Sequence, residues 1–334
     1  MRPVFTLLSL VFITLSVRSQ QLPQHTLYVQ NNFLLNPAVA GIENYIDLRA
    51  GYRTQWVGME GAPTSFYASF HTSLNKNDRN TKRLSMRNNG SNPGSGANTN
   101  NRFYIKPHHG LGAVAQVDKA GLLKTSSLSL SYAYHLPLTS RINLAGGLLA
   151  GIKQYRLNVD ALDLVTPNDP FEASDFSNMN KADLGVGLWL YSNSFFLGVS
   201  GMQLLRSNSN SAEGGPYATL QKHYFATSGI KIKASSELAL TPSLMVKMAE
   251  SGVVMVDGNA KLTYNDRFWT GISYRHNDAF AGAVGIYINH MLDVSYSYDV
   301  TTSAINTVSA NTHEVVIGLK LNNAQKVLCP QWVW

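Results

Sequence analysis

Apolar side chains recur at every second position along most of this chain, in segments of roughly ten residues separated by turn residues. In residues 46–53 (IDLRAGYR), one face carries Ile, Leu, Ala and Tyr and the other carries Asp, Arg, Gly and Arg. Successive side chains point to opposite faces of a strand, whereas a helix would mix the two sets. The pattern therefore predicts amphipathic β-strands, and it returns at residues 127–135, 292–299 and 313–321.

About 14 such strands fit the chain, an even number that suits a single-chain bacterial barrel. They are expected near residues 44–55, 64–73, 110–118, 125–135, 141–154, 181–191, 195–203, 222–233, 237–248, 253–264, 268–276, 279–289, 291–300 and 312–322. We therefore expect an all-β fold, a transmembrane antiparallel β-barrel of the outer membrane of a Gram-negative bacterium, with both termini periplasmic.

A secreted β-sandwich is the alternative, because it too buries one face of alternating strands. Fourteen strands, aromatic strand ends and mixed charges on the polar face favour the barrel. The charged fraction of 14% is also below the roughly 25% of ordinary soluble domains. After the N-terminal segment, no apolar stretch reaches the roughly 18 residues that a membrane-spanning helix needs. The single cysteine, Cys329, excludes an internal disulfide framework and a cysteine-ligated metal cluster.

The N-terminus predicts a secretory signal peptide over residues 1–19. Arg2 precedes an apolar run over residues 4–17, and small residues follow at the cleavage position. The expected organisation of the remainder is a periplasmic or plug segment over 20–43, a barrel over 44–322 and a C-terminal extension over 323–334.

The excess positive charge lies in an Asn-, Gly- and Ser-rich insert at residues 75–109, where seven basic residues face one acid, Asp78. This composition is typical of a flexible solvated loop. Nucleic-acid binding is not expected, because few aromatic residues accompany the charge. The other interpretation is contact with an acidic partner or with lipid phosphate, and we expect a periplasmic partner contact at Lys76, Arg79, Lys82, Arg83 and Arg87.

The predicted connections support this scheme, because short turns join even to odd strands, as expected on the periplasmic side. The basic insert is the exception, since it falls where a short turn is expected. Pro242 cannot donate to a β-ladder, so we expect it near the periplasmic rim or at a bulge.

The sequence offers no recognisable catalytic, cofactor or metal site. It contains no Gly-x-Ser-x-Gly elbow, phosphate-binding glycine loop or paired-histidine helix. His108 and His109 are adjacent and should point to opposite faces of a strand, which is poor geometry for one metal. The acidic residues of the loop before the sixth strand lack the spacing of a calcium loop; they are Asp160, Asp163, Asp169, Glu172 and Asp175.

The polar face of the strands should line the lumen with charges of both signs. Such an interior either pairs across a plugged barrel or lines a narrow water path; the cost of unpaired charges favours the plug. The predicted lumen residues are Asp47, Arg49, Arg53, Asp118, Lys153, Asp183, Lys231, Lys233, Arg275, Asp293, Asp299, Glu314 and Lys320.

Short motifs along the whole chain resemble one family of membrane proteins. They include QLPQHTLY at 21–28, NPAVAG at 36–41, RTQWV at 53–57, DRFWTG at 266–271, YSYD at 296–299 and CP at 329–330. Together they resemble the PorP/SprF family of the type IX secretion system. The residues that carry the resemblance are Asn36, Pro37, Ala38, Gly41, Arg53, Gln55, Trp56, Tyr274, Arg275, Tyr296, Tyr298, Asp299 and Glu314.

The resemblance implies a non-enzymatic outer-membrane component that works with the secretion and gliding apparatus. Its expected partners are periplasmic and lipoprotein subunits of that system, secreted cargo such as adhesins, and outer-membrane lipid. The alternative function is a channel or transporter for small or hydrophobic solutes. For the signature residues, a structural interpretation is also open: residues 36–38 would set a turn before the first strand, and Trp56 and Trp269 would anchor at the membrane interface.

Overall fold

The computed structural model describes residues 24–74, 107–158, 178–205, 221–302, 310–323 and 326–330. These residues form one closed antiparallel sheet in which the first strand pairs with the last. The strands are β1 (Ile46–Thr54), β2 (Thr64–Ser73), β3 (His108–Ala120), β4 (Leu123–Pro137), β5 (Asn143–Leu157), β6 (Asn178–Tyr191), β7 (Phe195–Met202), β8 (His223–Ile230), β9 (Ile232–Lys233), β10 (Leu238–Ala249), β11 (Val254–Tyr264), β12 (Phe268–Arg275), β13 (Ala279–Tyr287), β14 (Leu292–Thr301) and β15 (Thr312–Leu321).

Segments β8 and β9 are two parts of one barrel strand, so the barrel has fourteen strands as predicted. Both pair with β10 in a single register, in which Ser243 faces Gly229 and Leu240 faces Ile232. Pro242 lies in β10 opposite the interruption between them. Its missing N–H therefore coincides with a break in the ladder, without the register shift that a bulge would cause.

The two ends of the barrel differ, and we name them by what they carry. The terminal rim is the end at which β1 begins and β15 ends; turns at 138–142, 192–194, 234–237, 265–267 and 288–291 lie there, as does the start of the basic insert after β2. The loop rim is the opposite end. One boundary of the prediction is wrong: the basic insert does not extend to 109, because His108 and His109 belong to β3.

The outer face of the barrel carries an apolar band. Leu130, Ile152 and Ile272 are 65%, 63% and 71% exposed, whereas their sequence neighbours point into the lumen or lie under other side chains. A closed sheet satisfies its backbone groups between neighbouring strands, so this band can face lipid. Among the described residues, no helix is both long and apolar enough to cross a membrane.

The buried core lies inside the barrel rather than between two sheets. Its largest cluster joins Phe33, Ala38 and Ile42, which precede β1, to Trp189 and Phe196 of the wall. This arrangement excludes the β-sandwich alternative, in which strands alone would supply the core.

Candidate functional site: the N-terminal segment in the lumen

Residues 24–45 run through the lumen as three short 3₁₀ turns, Thr26–Gln30, Asn32–Leu34 and Pro37–Val39. Leu27, Phe33 and Val39 are almost completely buried against the inner wall. The described part of this segment therefore fills the barrel as a plug, which we call the lumenal plug. Isolated 3₁₀ turns of this length are weak, so the wall must hold them in place.

The first anchor is a buried charge cluster around Thr26. Glu314 accepts hydrogen bonds from the backbone nitrogens of Thr26 and Leu27, at 2.7 and 3.3 Å from its Oε2 atom. Arg53 pairs with Glu314 at 3.0 Å and with Asp299 at 2.8 Å, and donates to the Thr26 hydroxyl at 2.9 Å. Three signature residues from three strands thus converge on the start of the plug.

Arg275 extends this cluster toward the loop rim. Its guanidinium pairs with Asp257 at 3.2 Å and Asp278 at 3.0 Å, and also lies 3.4 Å from the Thr26 hydroxyl oxygen. Tyr28 is held nearby, because the Asn259 amide donates to its hydroxyl at 2.6 Å. Burial raises the pKa of Tyr28 above its usual value.

The second anchor is Asn36. Its side-chain oxygen accepts a hydrogen bond from Ala38 N at 3.0 Å and so caps the third 3₁₀ turn. Its side-chain nitrogen donates to the carbonyl oxygens of Leu188 and Val199, at 3.0 and 3.1 Å. One amide therefore fixes the turn and also ties it to β6 and β7.

Glycines in the wall make room for this turn. A Cβ atom on Gly147 would lie 2.3 Å from Ala38 N, and one on Gly187 would lie 2.0 Å from Asn36 Oδ1. On Gly110, it would lie 1.9 Å from the Ala40 carbonyl oxygen. These contacts are too close for any side chain, so the wall and plug backbones pack directly against each other.

Three histidines hold the end of the plug, a role the sequence reasoning did not identify. Gly41, at a φ of 73°, donates its N–H to His71 Nδ1 at 3.3 Å and accepts from His108 Nε2 at 3.2 Å. His135 Nε2 donates to the Ala40 carbonyl oxygen at 2.8 Å, and its ring stacks on His108 at 4.3 Å. His108 faces the lumen and His109 faces outward, as their adjacency predicted. The available signal was that each of the three histidines occupies a lumen-facing position of its strand.

A further ionic cluster lies nearer the terminal rim. Arg49 pairs with Asp47 at 2.9 Å and with Asp293 at 3.3 Å, and Lys320 lies 3.8 Å from Asp293. The Lys320 ammonium also donates to the Leu328 carbonyl oxygen, which ties the C-terminal extension to the wall. Residue Cys329 is buried there in the same cluster as Leu27 of the plug, together with Tyr67, Trp269, Tyr287 and Val316.

The remaining signature residues do not join the plug. Gln55 and Trp56 follow β1 at the loop rim. There the Trp56 backbone N–H donates a hydrogen bond to Thr312 Oγ1 at 3.3 Å. Tyr274, Tyr296 and Tyr298 face outward instead. Asn311 donates a hydrogen bond to the Tyr298 hydroxyl, and His313 contacts the rings of Tyr296 and Tyr298. Aromatic residues of this kind are typical of a membrane interface.

The expectation that Trp269 anchors at the interface is wrong. This side chain is buried in the lumen, where the Lys261 ammonium lies 5.0 Å from its ring centroid and Gly285 provides space for the indole. The alternation along β12 indicated the lumenal side for Trp269, because Trp269 shares the phase of Arg275, which was predicted to face the lumen.

Most predicted lumen charges are buried inside the barrel. Lys233 is an exception and is exposed, because β9 ends at the terminal rim where the lumen ends; Lys231 and Asp118 are half-buried. Five buried charges were missed, although four of them share the polar phase of their strands: Lys181, Lys247, Asp257, Lys261 and, before β1, Glu43.

Beside the plug, a cavity lies toward the loop rim; Gln24, His25 and Tyr28 at the start of the plug line it. Its volume is about 90 Å³. Phe33, Leu34 and Leu35 of the plug contribute to its apolar lining, and Lys153 and Lys247 contribute cations. Among the described residues, no three metal-ligating side chains come together.

Several predictions lie outside the described residues. These are the signal peptide over 1–19, the acidic loop residues 160–175 and the five basic residues expected to contact a partner, namely Lys76, Arg79, Lys82, Arg83 and Arg87.

Comparison with known proteins gives a family and a fold. The family described as type IX secretion system membrane protein PorP/SprF matches residues 17–319. No curated protein has a significantly similar sequence.

Solved structures with related folds have little sequence similarity to this chain. The toluene transporter TbuX of Ralstonia pickettii is 11% identical with a TM-score of 0.49, covering 88% of this chain and 92% of its own. The outer membrane protein Omp33 of Acinetobacter baumannii is 8% identical, with a TM-score of 0.43 and coverages of 84% and 99%. A FadL homologue of Pseudomonas aeruginosa is 9% identical, with a TM-score of 0.45 and coverages of 90% and 94%.

Proposed function

Because this chain belongs to the PorP/SprF family of type IX secretion system membrane proteins, we propose that it supports the export or surface attachment of cargo proteins such as adhesins. Its role in this proposal is non-enzymatic. The chain is an integral outer-membrane β-barrel, and other components of the secretion system are its expected partners.

The occupied lumen is the observation that carries this proposal. Arg53, Arg275, Asp299 and Glu314, which carry the family resemblance, hold the lumenal plug rather than an open path. Holding the plug requires four buried charges, which are costly to desolvate unless their pairing is complete. A barrel of this kind presents rims and loops to protein partners, while its interior serves as a rigid support.

We further propose that the terminal rim is periplasmic. Bacterial barrels have short periplasmic turns and longer extracellular loops, and the short turns of this barrel cluster at the terminal rim. The basic insert leaves the barrel at the same rim. In this orientation, Lys76, Arg79, Lys82, Arg83 and Arg87 meet an acidic periplasmic partner.

Affinity purification from native membranes, followed by mass spectrometry, tests the role and the partner contact together. Reversing the charge of the five insert residues should remove periplasmic or lipoprotein components of the secretion system from the purified material. Exchanging Lys for Arg and Arg for Lys at the same positions keeps the charge and should preserve them. Unchanged recovery after charge reversal would reject the insert contact, and recovery of no secretion components with the wild type would reject the role.

The cavity beside the plug favours a second candidate function, a channel or transporter for small or hydrophobic solutes. It combines apolar side chains such as Phe225 and Met245 with the ammonium of Lys247. Uptake of a solute into proteoliposomes separates the two functions: it requires the plug to move, whereas the secretion role does not.

A further inference from the structure

Three cations form a row across neighbouring strands at the loop rim. Lys119 of β3 lies directly opposite Lys124 of β4, and Lys124 lies directly opposite Arg156 of β5. Directly opposed residues in an antiparallel sheet share one face, with Cβ atoms about 5 Å apart. We call these residues the cation row.

The cation row faces outward. Lys124 shares the phase of Leu128 and Leu130, which are exposed on the lipid side at 60% and 65%. Lys119 and Arg156 are exposed as well. The row therefore continues the lipid-facing surface rather than the lumen.

The row has no compensating acid among the described residues, since none of its three members forms an ion pair or a side-chain hydrogen bond there. Like charges directly opposite each other destabilise a sheet. Lys222, another basic residue at the loop rim, is paired with Glu250 at 3.5 Å. A row of three cations with no acidic partner among the described residues is suited to attract an external anion.

The row lies beyond the apolar level of its strands, toward the loop rim. Its strands carry an apolar level at Leu128 and Ile152, which lie directly opposite each other, and the cations follow four residues further along. Four residues span about 13 Å along a strand, or about 10 Å along the membrane normal at a tilt near 40°. The headgroup layer is about 5–7 Å thick on each side, and long basic side chains can reach back toward it.

We propose that Lys119, Lys124 and Arg156 bind the phosphate groups of anionic lipids in the leaflet that meets the loop rim. This site is separate from the lumenal plug and from the partner contact of the basic insert. It also holds for either orientation of the barrel, because each leaflet presents headgroups at that height.

One other occupant comes from the chain itself. Residues 159–177 follow Arg156 closely and contain five acidic residues and no basic ones. If this segment neutralised the cation row, replacing its acids with amides would increase lipid binding by the wild-type row, and the lipid would be a secondary occupant.

Native mass spectrometry of the purified full chain tests the proposal. The protein is mixed with equal amounts of phosphatidylglycerol and phosphatidylcholine, and the ratio of bound lipids is measured. In the variant K119Q/K124Q/R156Q, the ratio of bound phosphatidylglycerol to bound phosphatidylcholine should fall at least about fivefold, since each cation near an anionic surface contributes attraction of that order. The charge-conserving variant K119R/K124R/R156K should keep it, as should K222Q.

An unchanged lipid ratio in K119Q/K124Q/R156Q would overturn the proposal. So would a preference that rises severalfold when Asp160, Asp163, Asp169, Glu172 and Asp175 are replaced by amides, because the row would then serve the acidic segment. Adding inorganic phosphate should leave the ratio unchanged, which distinguishes a lipid site from a site for the free anion. Heat-modified migration on gels confirms that each variant remains a folded barrel.

Discussion

At the scale of single residues, the lumen is organised by charges whose partners are far apart in sequence. The Thr26 backbone meets Glu314 across 288 residues, and Arg53 meets Asp299 across 246. The alternation predicted that Arg53, Asp299 and Glu314 face the lumen. It could not predict what they hold, because the partner is a segment without any periodic pattern.

Glu314 is expected to control how tightly the plug is held. Glu314→Gln removes the negative charge beside Arg53, and breaking a buried pair costs about 3–5 kcal/mol. We expect the amides of Thr26–Gln30 to exchange hydrogen at least about a hundredfold faster, with little change in amides of β3–β5. Hydrogen exchange with mass spectrometry measures both, and the exposed Glu237→Gln serves as control. Equal protection in Glu314→Gln and the wild type would contradict the anchor.

Gly147 and Gly146 provide a matched pair on one strand. A Cβ atom at Gly147 collides with Ala38 of the plug, whereas one at Gly146 has its nearest neighbour at 3.7 Å. Gly147→Ala should destabilise plug docking by about 1–3 kcal/mol, and Gly146→Ala should not. The amide exchange rates of Ala38 and Val39 report the difference; similar rates in the two variants would show that the close packing is not required.

At the scale of elements, the strands and a plug segment over 20–43 were predictable, but the contacts that hold the plug were not. The two faces of each strand can be recognised from the local sequence, because apolar and polar side chains alternate with period two. The predicted strands therefore match those found, including the strand that contains Pro242. The plug depends on the capping of its turns by Asn36 and on glycine spaces in β5 and β6, which only the folded barrel brings together. Trp269 was misplaced because a general preference for interfacial tryptophan was given more weight than its strand phase.

Asn36 should therefore contribute more to holding the plug than the signature residues that lie outside the lumen. Asn36→Ala removes a cap and two bonds to wall carbonyls, and each bond contributes about 1 kcal/mol. Limited proteolysis should cut the plug of this variant sooner than that of the wild type. Gln55→Ala, at the loop rim, is the matched control and should be cut at the wild-type rate; if both variants behave alike, the cap is not an anchor.

At the scale of the whole molecule, alternation, strand number and low charge content together led to a closed barrel. Mixed charges suit either a plug or a water path, and the cost of unpaired charges favoured the plug. The structure favours the plug through long-range contacts: the lumenal plug and the C-terminal residues 326–330 meet in one buried cluster around Leu27 and Cys329. A barrel filled in this way is suited to supporting other proteins at the membrane.

Ion conductance of the intact protein in a planar lipid bilayer tests this account most directly. We predict no sustained conductance from the wild type, and the appearance of channel events in Glu314→Gln or Gly147→Ala as the plug loosens. A steady open-channel conductance from the wild-type protein would contradict an occupied lumen and the role built on it.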